Sequence, residues 1–191
     1  MKATKGKFFA RGVHIRDEKA LSADAAIERL ANVAEVAIPL RQHIGKPAVP
    51  AIEVGATVKR GQLIGKADGF VSANVHASVA GTVKAVEERS DGKGGTGVHV
   101  VISCGETDET DFMPPLADAS AEEIAQRIQD AGIVGMGGAG FPTSVKIKPR
   151  IKVDTLILNG AECEPYLNCD NRIMLEQRDQ IVRGAKYLAK A

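Results

Sequence analysis

From residue 35 to residue 103 the chain runs in short apolar stretches, at 36–40, 51–54, 62–66, 70–73, 82–86 and 98–102. Glycine and polar turns separate them at Gly55-Ala, Asp68-Gly, Ala80-Gly and Ser90-Asp-Gly-Lys-Gly-Gly. Short β-rich runs bounded by such turns, with no helix period between them, predict a small all-β sandwich or barrel. The polar, glycine-rich stretch 89–97 is expected to be a mobile hairpin tip. After residue 120 the period changes. Ser120-Ala-Glu-Glu123 reads as a capping box. Ala121, Ile124, Ala125, Ile128 and Ala131 then form an apolar helical stripe, and Gly132 is a credible residue just past the helix end. Residues 153–158 read as a largely buried strand. Asp170-Asn-Arg is expected to cap a final helix with Met174, Ile181, Val182, Ala185 and Leu188 on one face. Ahead of residue 35 the pattern is weak: a short helix over 22–30 would turn Ile27 and Leu30 inward, and Phe8 and Phe9 would dock onto a neighbouring layer.

These patterns divide the chain into an entry segment (1–34), a small β domain (35–103), an acidic and proline-stiffened linker (104–119) and the beginning of an α/β domain (120–191). The fold class expected is α+β, in more than one domain. One strand and two helices make a poor core, because a parallel sheet needs further strands and cover on both faces. The last domain is therefore expected to be a piece of a longer chain or to depend on a partner. Within the β domain, Gly55-Ala-Thr-Val-Lys echoes Gly81-Thr-Val-Lys, as two related half-sheets would. The segment 54–81 resembles the biotinyl/lipoyl-type barrel-sandwich domain, which presents a modified lysine at a hairpin tip. Here the tip falls at Asp68-Gly-Phe-Val-Ser72, which has no lysine, so a swinging-arm role is not expected.

Composition narrows the function. Lys+Arg number 25 and Asp+Glu 24, so no net field favours nucleic acid. Aromatics make up 4% of the chain, too few for a broad stacking platform for single strands. No apolar run approaches the ~18 residues of a membrane span, and residues 1–15 lack the apolar centre of a signal peptide, which predicts a cytoplasmic location. Cys104, Cys163 and Cys169 form no disulfide framework or ligand knuckle, cannot alone hold an iron–sulfur cluster, and are expected to be reduced. Of the three, Cys163 is the best placed to line a site. His14, His43, His76 and His99 are dispersed and read as packed or hydrogen-bonded residues rather than metal ligands or members of a catalytic triad.

The chemistry concentrates in two arms. Five glycines lie between Gly132 and Gly140. Gly135-Met-Gly137-Gly138-Ala-Gly140 matches the dinucleotide fingerprint as a string, but a helix precedes it and Phe141-Pro142 follows, so the strand–loop–helix context is missing. No Gly-Lys-Ser/Thr marks a Walker loop. Successive amides in such a loop can still form an anion nest, with Lys146 adding positive charge and Phe141 able to lie against a ring. A phosphate or flavin site is one reading; a connection that lets a helix pack closely on a sheet is the other. The second arm is Asn159, Glu162 and Glu164, whose carboxylates suit the ring or sugar end of a nucleotide rather than its phosphate; a solvated turn is the alternative.

Taken together, Gly135-Met-Gly-Gly-Ala-Gly-Phe-Pro-Thr143 with Lys146 and Leu158-Asn-Gly-Ala-Glu-Cys-Glu-Pro-Tyr166 resemble RnfC, the C subunit of the Rnf ion-translocating electron transport complex. Ile38-Pro-Leu-Arg-Gln-His-Ile-Gly45, Ala67-Asp-Gly-Phe-Val-Ser72 and Arg11-Gly-Val-His14 fit the same family, so the resemblance covers essentially the whole chain in order. Part of it is shared with the flavoprotein subunit of respiratory complex I, a cobalamin reductase and a proline-reductase-associated electron carrier. The resemblance implies a barrel-sandwich domain followed by an incomplete FMN/NAD-binding domain. It implies a peripheral subunit on the cytoplasmic side of the membrane. The complex would pass electrons between reduced ferredoxin and NAD, coupled to ion movement, with its other subunits as partners. It further implies non-covalent FMN held by Gly135, Gly137, Gly138 and Gly140, with Lys146, Asn159 and Glu162 on the flavin, Phe141 and Glu164 on NAD(H), and no side chain acting as acid or base. The complex I flavoprotein has arginine where Met136 stands and aspartate where Ala161 stands, so those two contacts are absent. Two 4Fe–4S clusters would belong to the family's cysteine-rich C-terminal part. A non-catalytic docking module is one competing reading, and a related flavin electron carrier, such as the cobalamin reductase or the proline-reductase-associated protein, is the other.

Overall fold

The computed structural model describes residues 15–30, 33–92, 94–136, 138–148 and 153–191. The expectations placed on Phe8, Phe9, His14 and Gly137 lie outside these residues. The chain divides into two compact units, Arg29–Ile157 with Val182–Ala191, and Met1–Glu28 with Leu158–Ile181. Each is described by itself.

Among its described residues the larger unit holds seven strands: β1 (Glu35–Pro39), β2 (Val49–Pro50), β3 (Thr57–Val58), β4 (Leu63–Lys66), β5 (Val75–His76), β6 (Gly81–Ser90) and β7 (Thr96–Cys104). They form two antiparallel sheets, ordered β1-β7-β6-β3 and β2-β4-β5. Ile38, Val58, Val83, Val100 and Ile102 from the first sheet share one core with Ile64 and Val75 from the second, closed by Leu40, Ala48 and Ala77. Burial of these aliphatic side chains between facing sheets is what holds a β-sandwich together. The sequence echo has a structural counterpart: its two copies lie side by side, with Thr57 opposite Thr82 and Val58 opposite Gly81. The glycine-rich stretch is the tip of the β6–β7 hairpin, where the Asp91 N–H donates to the Gly95 carbonyl at 3.0 Å.

Two expected strands are corrected. Residues 51–54 turn instead, with the Ala56 N–H donating to the Glu53 carbonyl at 3.2 Å. Residues 70–73 form a bend: His43 Nε2 takes the Ala73 N–H at 3.1 Å, and the chain just before is held by Asn74 Oδ1, which accepts from Ala67 N–H at 2.9 Å, and by Ser72 Oγ, which accepts from Asp68 N–H at 3.0 Å. Such local side-chain bonds compete with ladder pairing. The stretch after β7 is tied to the sandwich, since Arg60 N–H donates to Glu109, Asp111 N–H donates to Arg60, and the Arg60 guanidinium lies 5.3 Å from the Phe112 ring centre.

Helix α1 (Ala121–Asp130) opens on the expected capping box, with Glu123 N–H on Ser120 Oγ at 3.2 Å and Ser120 N–H on Glu123 Oε2 at 2.7 Å. It buries Ile124 and Ala125. Its end is a Schellman motif: Gly132 N–H donates to Gln129 at 3.0 Å and Ile133 N–H to Ile128 at 3.2 Å, with Gly132 at φ 64°. A single turn, α2 (Thr143–Lys146), follows Pro142.

Residues 153–158 are corrected from buried strand to exposed, unpaired chain; Ile157 is 81% exposed. A strand is buried only when neighbours supply its ladder and cover its faces. Among the described residues no strand does so, and no residue from 153 to 191 is buried.

In the smaller unit, Lys19–Leu21 form one 3-10 turn, and the expected helix over 22–30 is absent, with Ile27 and Leu30 exposed. The backbone there is committed elsewhere: Ile27 N–H donates to the Glu176 carboxylate at 3.1 Å and the Ala23 carbonyl accepts from Arg172 at 3.4 Å. The expected final helix is two, broken at Gln177 (φ −124°, ψ 28°): α3 (Cys169–Glu176) in this unit, and α4 (Arg178–Lys190), which belongs to the larger unit from Val182 on. Neither buries a side chain.

Candidate functional site

The glycine loop is a closed turn built against the sandwich. Val134 and Pro142 pair as an antiparallel bridge, with Gly135 N–H on Phe141 O at 2.9 Å and Thr143 N–H on Ile133 O at 2.9 Å. The loop's outer glycines are seated on the β domain. A Cβ on Gly132 would collide with the Asn74 carbonyl oxygen, and one on Gly140, at φ 65°, would meet Gln42 O at 2.5 Å. Asn74 Nδ2 also donates to the Asp130 carbonyl at 3.0 Å, and Ile44 N–H donates to Ala139 O at 3.0 Å. The connection reading therefore accounts for Gly132 and Gly140.

The inner positions face outward. A Cβ on Gly138 would meet nothing within 4 Å, and Met136 is 89% exposed. Among the described residues, the N–H groups of Met136, Gly138, Ala139, Gly140 and Phe141 have no acceptor. Lys146 makes no hydrogen bond or ion pair among them either, and its Nζ lies 2.6 Å from where a Gly135 Cβ would stand. Unpaired amides beside an uncompensated ammonium are the donor set an anionic phosphate takes. The residues present fit the phosphate end of FMN. A neighbouring cavity of about 220 Å³, lined by Gln42, His43, Asn74, His76, Gly132 and Val134, is smaller than the ~300–1,000 Å³ of typical ligand pockets. Burial holds the His76 imidazole below its ordinary pKa, so it is neutral on that wall.

The second arm belongs to the smaller unit. Asn159 Oδ1 accepts from Ala161 N–H at 2.9 Å, an Asx turn, and the Glu164 side chain is exposed while its carbonyl accepts from Lys19 Nζ at 3.1 Å. Glu162 takes over the capping role expected of Asp170: its Oε1 accepts from Asp170 N–H at 2.9 Å and from the Cys169 thiol at 3.2 Å, while the true N-cap, Asn168, makes no side-chain cap bond. The sequence offered no signal for this, because Glu162 lies outside any capping-box spacing. The Asp170 N–H above all, then the Cys169 thiol and Lys19, hold the Glu162 carboxyl below the usual glutamate range, and the same bond with Glu162 pushes the Cys169 thiol up. A carboxyl with a lowered folded pKa contributes stability above its unfolded pKa and loses it as pH falls through the folded one. Amide NMR of Asp170 during acid titration should therefore show the α3 start releasing below pH about 4.3, the ordinary glutamate value. Glu162→Gln should abolish that step; a persistent step would assign it elsewhere.

Glu162, Cys169 and Asp170 also bring three potential ligand atoms within 4.8 Å of one another. Their mutual hydrogen bonds account for the cluster. His43 and His99 are buried and hydrogen-bonded as expected, the latter with Nδ1 on the Gly97 carbonyl at 2.8 Å. The three cysteines are unpaired.

Comparison with known proteins agrees with this architecture. The family model of the RnfC barrel sandwich hybrid domain matches residues 7–107, and that of the Nuo51 FMN-binding domain matches residues 128–191. The chain is 44% identical over 190 residues to the C subunit of the proton-translocating ferredoxin:NAD(+) oxidoreductase complex of Clostridium ljungdahlii, covering 96% of this chain and 42% of that protein. It is 43% identical over 192 residues to the Na(+)-translocating counterpart of Acetobacterium woodii, covering 96% and 43%. It is 43% identical over 200 residues to the C subunit of the ion-translocating oxidoreductase complex of Rhodobacter capsulatus, covering 94% and 36%. The chain thus spans less than half the length of these curated relatives. It belongs to the RnfC family, and consists of that family's barrel-sandwich domain followed by the start of an α/β flavin-binding domain.

Proposed function

We propose that this chain is part of the peripheral subunit through which a membrane-bound ferredoxin:NAD oxidoreductase, coupled to ion translocation, exchanges electrons between NAD(H) and FMN. The observation that carries the reading is the turn whose amides at 136 and 138–141 have no acceptor among the described residues, exposed at 136, 138 and 139, beside Lys146 and within the stretch matched to an FMN-binding domain. Gly135, Gly137, Gly138 and Gly140 hold the phosphate and ribityl end. Lys146, Asn159 and Glu162 contact the flavin; Phe141 and Glu164 meet the nicotinamide nucleotide by stacking and hydrogen bonding. FMN supplies a ring that accepts hydride and passes electrons on singly. The protein's part is positioning, since hydride transfer depends on two rings held face to face. For Glu162, the reading requires the carboxylate to serve a ligand as well as, or instead of, the α3 cap.

The remaining assignments are what the family resemblance implies. Partners are the other Rnf subunits, ferredoxin and NAD(H). The two 4Fe–4S clusters belong to the part of the family's chain beyond this stretch. Location is peripheral, on the cytoplasmic side; among the described residues no helix is long and apolar enough to cross a membrane. A second reading, a docking module without catalysis, draws on the contrast between the packed sandwich core and the absence of any buried residue from 153 to 191.

The test is flavin absorbance and fluorescence of the full-length polypeptide with added FMN. Retained flavin is expected, with affinity lowered about tenfold or more in Gly138→Val, because a side chain there fills the space the phosphate needs. A full-length protein that neither retains nor binds FMN sinks the redox reading and leaves the docking one.

A further inference from the structure

Beside Asn74, which meets Gly132, the β domain reaches the glycine loop through the turn of residues 41–46, and a histidine sits at its centre. His43 is 6% exposed. Its Nδ1 faces the Ile44 carbonyl at 2.8 Å, and its Nε2 receives the Ala73 N–H at 3.1 Å. One neutral tautomer, with the proton on Nδ1, satisfies both contacts. The turn is tied again to the 67–74 bend, by Lys46 N–H on Val71 O at 3.1 Å and Ser72 Oγ on Lys46 O at 2.8 Å. Its opposite face is what the glycine loop rests on: Ile44 N–H donates to Ala139 O, and Gly140 lies against Gln42 O and His43 Cα.

We propose that His43 is a positioning residue for the flavin loop: by locking the 41–46 turn to Ala73, it fixes the platform that sets the backbone of residues 138–140 and so the direction of their unpaired amides. The barrel-sandwich domain is then a working part of the nucleotide site rather than an appendage to it. This rests on the flavin reading above. The physical basis is preorganisation. Amides already aimed at the phosphate lose no free energy to ordering on binding, whereas a loop released from its platform must be ordered by the ligand. The side chain reaches the loop only through the turn's backbone, so it touches neither FMN nor the reacting atoms.

The experiment compares full-length wild type with His43→Leu, His43→Gln and Gly140→Ala. Hydrogen exchange at Ile44 and Gly135, whose amides are bonded to Ala139 O and Phe141 O, is read without flavin, and FMN affinity and visible circular dichroism are read with it. His43→Leu should speed exchange at these two bonded amides about tenfold and weaken FMN about tenfold. His43→Gln keeps an acceptor near the Ala73 N–H and should recover most of both. Gly140→Ala lifts the loop from the same platform by another route. Its effect should not add to that of His43→Leu in the double variant, as coupled sites behave. Unchanged loop exchange in His43→Leu, or additive losses in the double variant, overturns the proposal. If wild type binds no FMN, the flavin reading fails, and the exchange data still decide whether His43 governs the loop.

Discussion

Replacing Gly132 with alanine is expected to destabilise the larger unit by about 3 kcal/mol, measured by denaturant unfolding followed by circular dichroism. Two costs coincide there. The residue closes the Schellman motif of α1 at φ 64°, where a side chain costs about 1–2 kcal/mol. The Cβ would also run into the Asn74 carbonyl oxygen, and that oxygen is backbone, which cannot rotate away. Gly55→Ala separates the two costs. It has φ 88° but meets nothing within 4 Å, so only the backbone term of about 1 kcal/mol remains. Equal losses at the two positions would show that the approach of α1 to Asn74 is looser than the geometry indicates. A functional consequence follows from place: Gly132 leads directly into the glycine loop, so under the proposed function its alanine variant should lose FMN as well as stability.

Ile102→Ala should have a similar effect for a different reason, about 3–4 kcal/mol by the same measurement. Ile102 is fully buried in β7, opposite Val36 of β1 and Val83 of β6, in the core that joins the two sheets. Truncation removes the transfer free energy of the lost methylenes and leaves a cavity that sheet backbones on either side cannot collapse to fill. Val98→Ala, partly exposed on the same strand, should cost less than about 1 kcal/mol. The same core contains Leu40, immediately before the 41–46 turn, so cavity formation should also loosen the platform under the flavin loop. If Ile102→Ala proved as mild as Val98→Ala, the two sheets would not share one core.

How far the chain could be read depended on what each signal needed. The short β-rich runs that lie in β6 and β7 and the Ser120 capping box are short-range patterns, and both appear where the spacing puts them. Residues 70–73 are β-rich by composition, yet His43 claims the Ala73 N–H while Asn74 and Ser72 claim those of Ala67 and Asp68, and none of these bonds is visible in a hydrophobic pattern. Residues 153–158 carry a strong strand signal, but a strand is completed by partners, and no described strand pairs with them. The weak helix pattern at 22–30 lost to hydrogen bonds from Arg172 and Glu176, about 150 residues away in the chain. Within the glycine loop, sequence marked the run as a whole and could not sort its members.

Local spacing alone established the β-rich half, the capped helix with Gly132 at its end, and the glycine and acidic arms that carry the family resemblance, because these depend on neighbours a few residues apart. Only the folded chain decided which glycines serve packing and which face outward, that Glu162 caps α3, and that His43 supports the turn beneath the loop. Those outcomes depend on backbone carbonyls and amides brought together from distant stretches, as with Gly132 on Asn74 and Gly140 on Gln42, and a carbonyl's position is written in no single residue type.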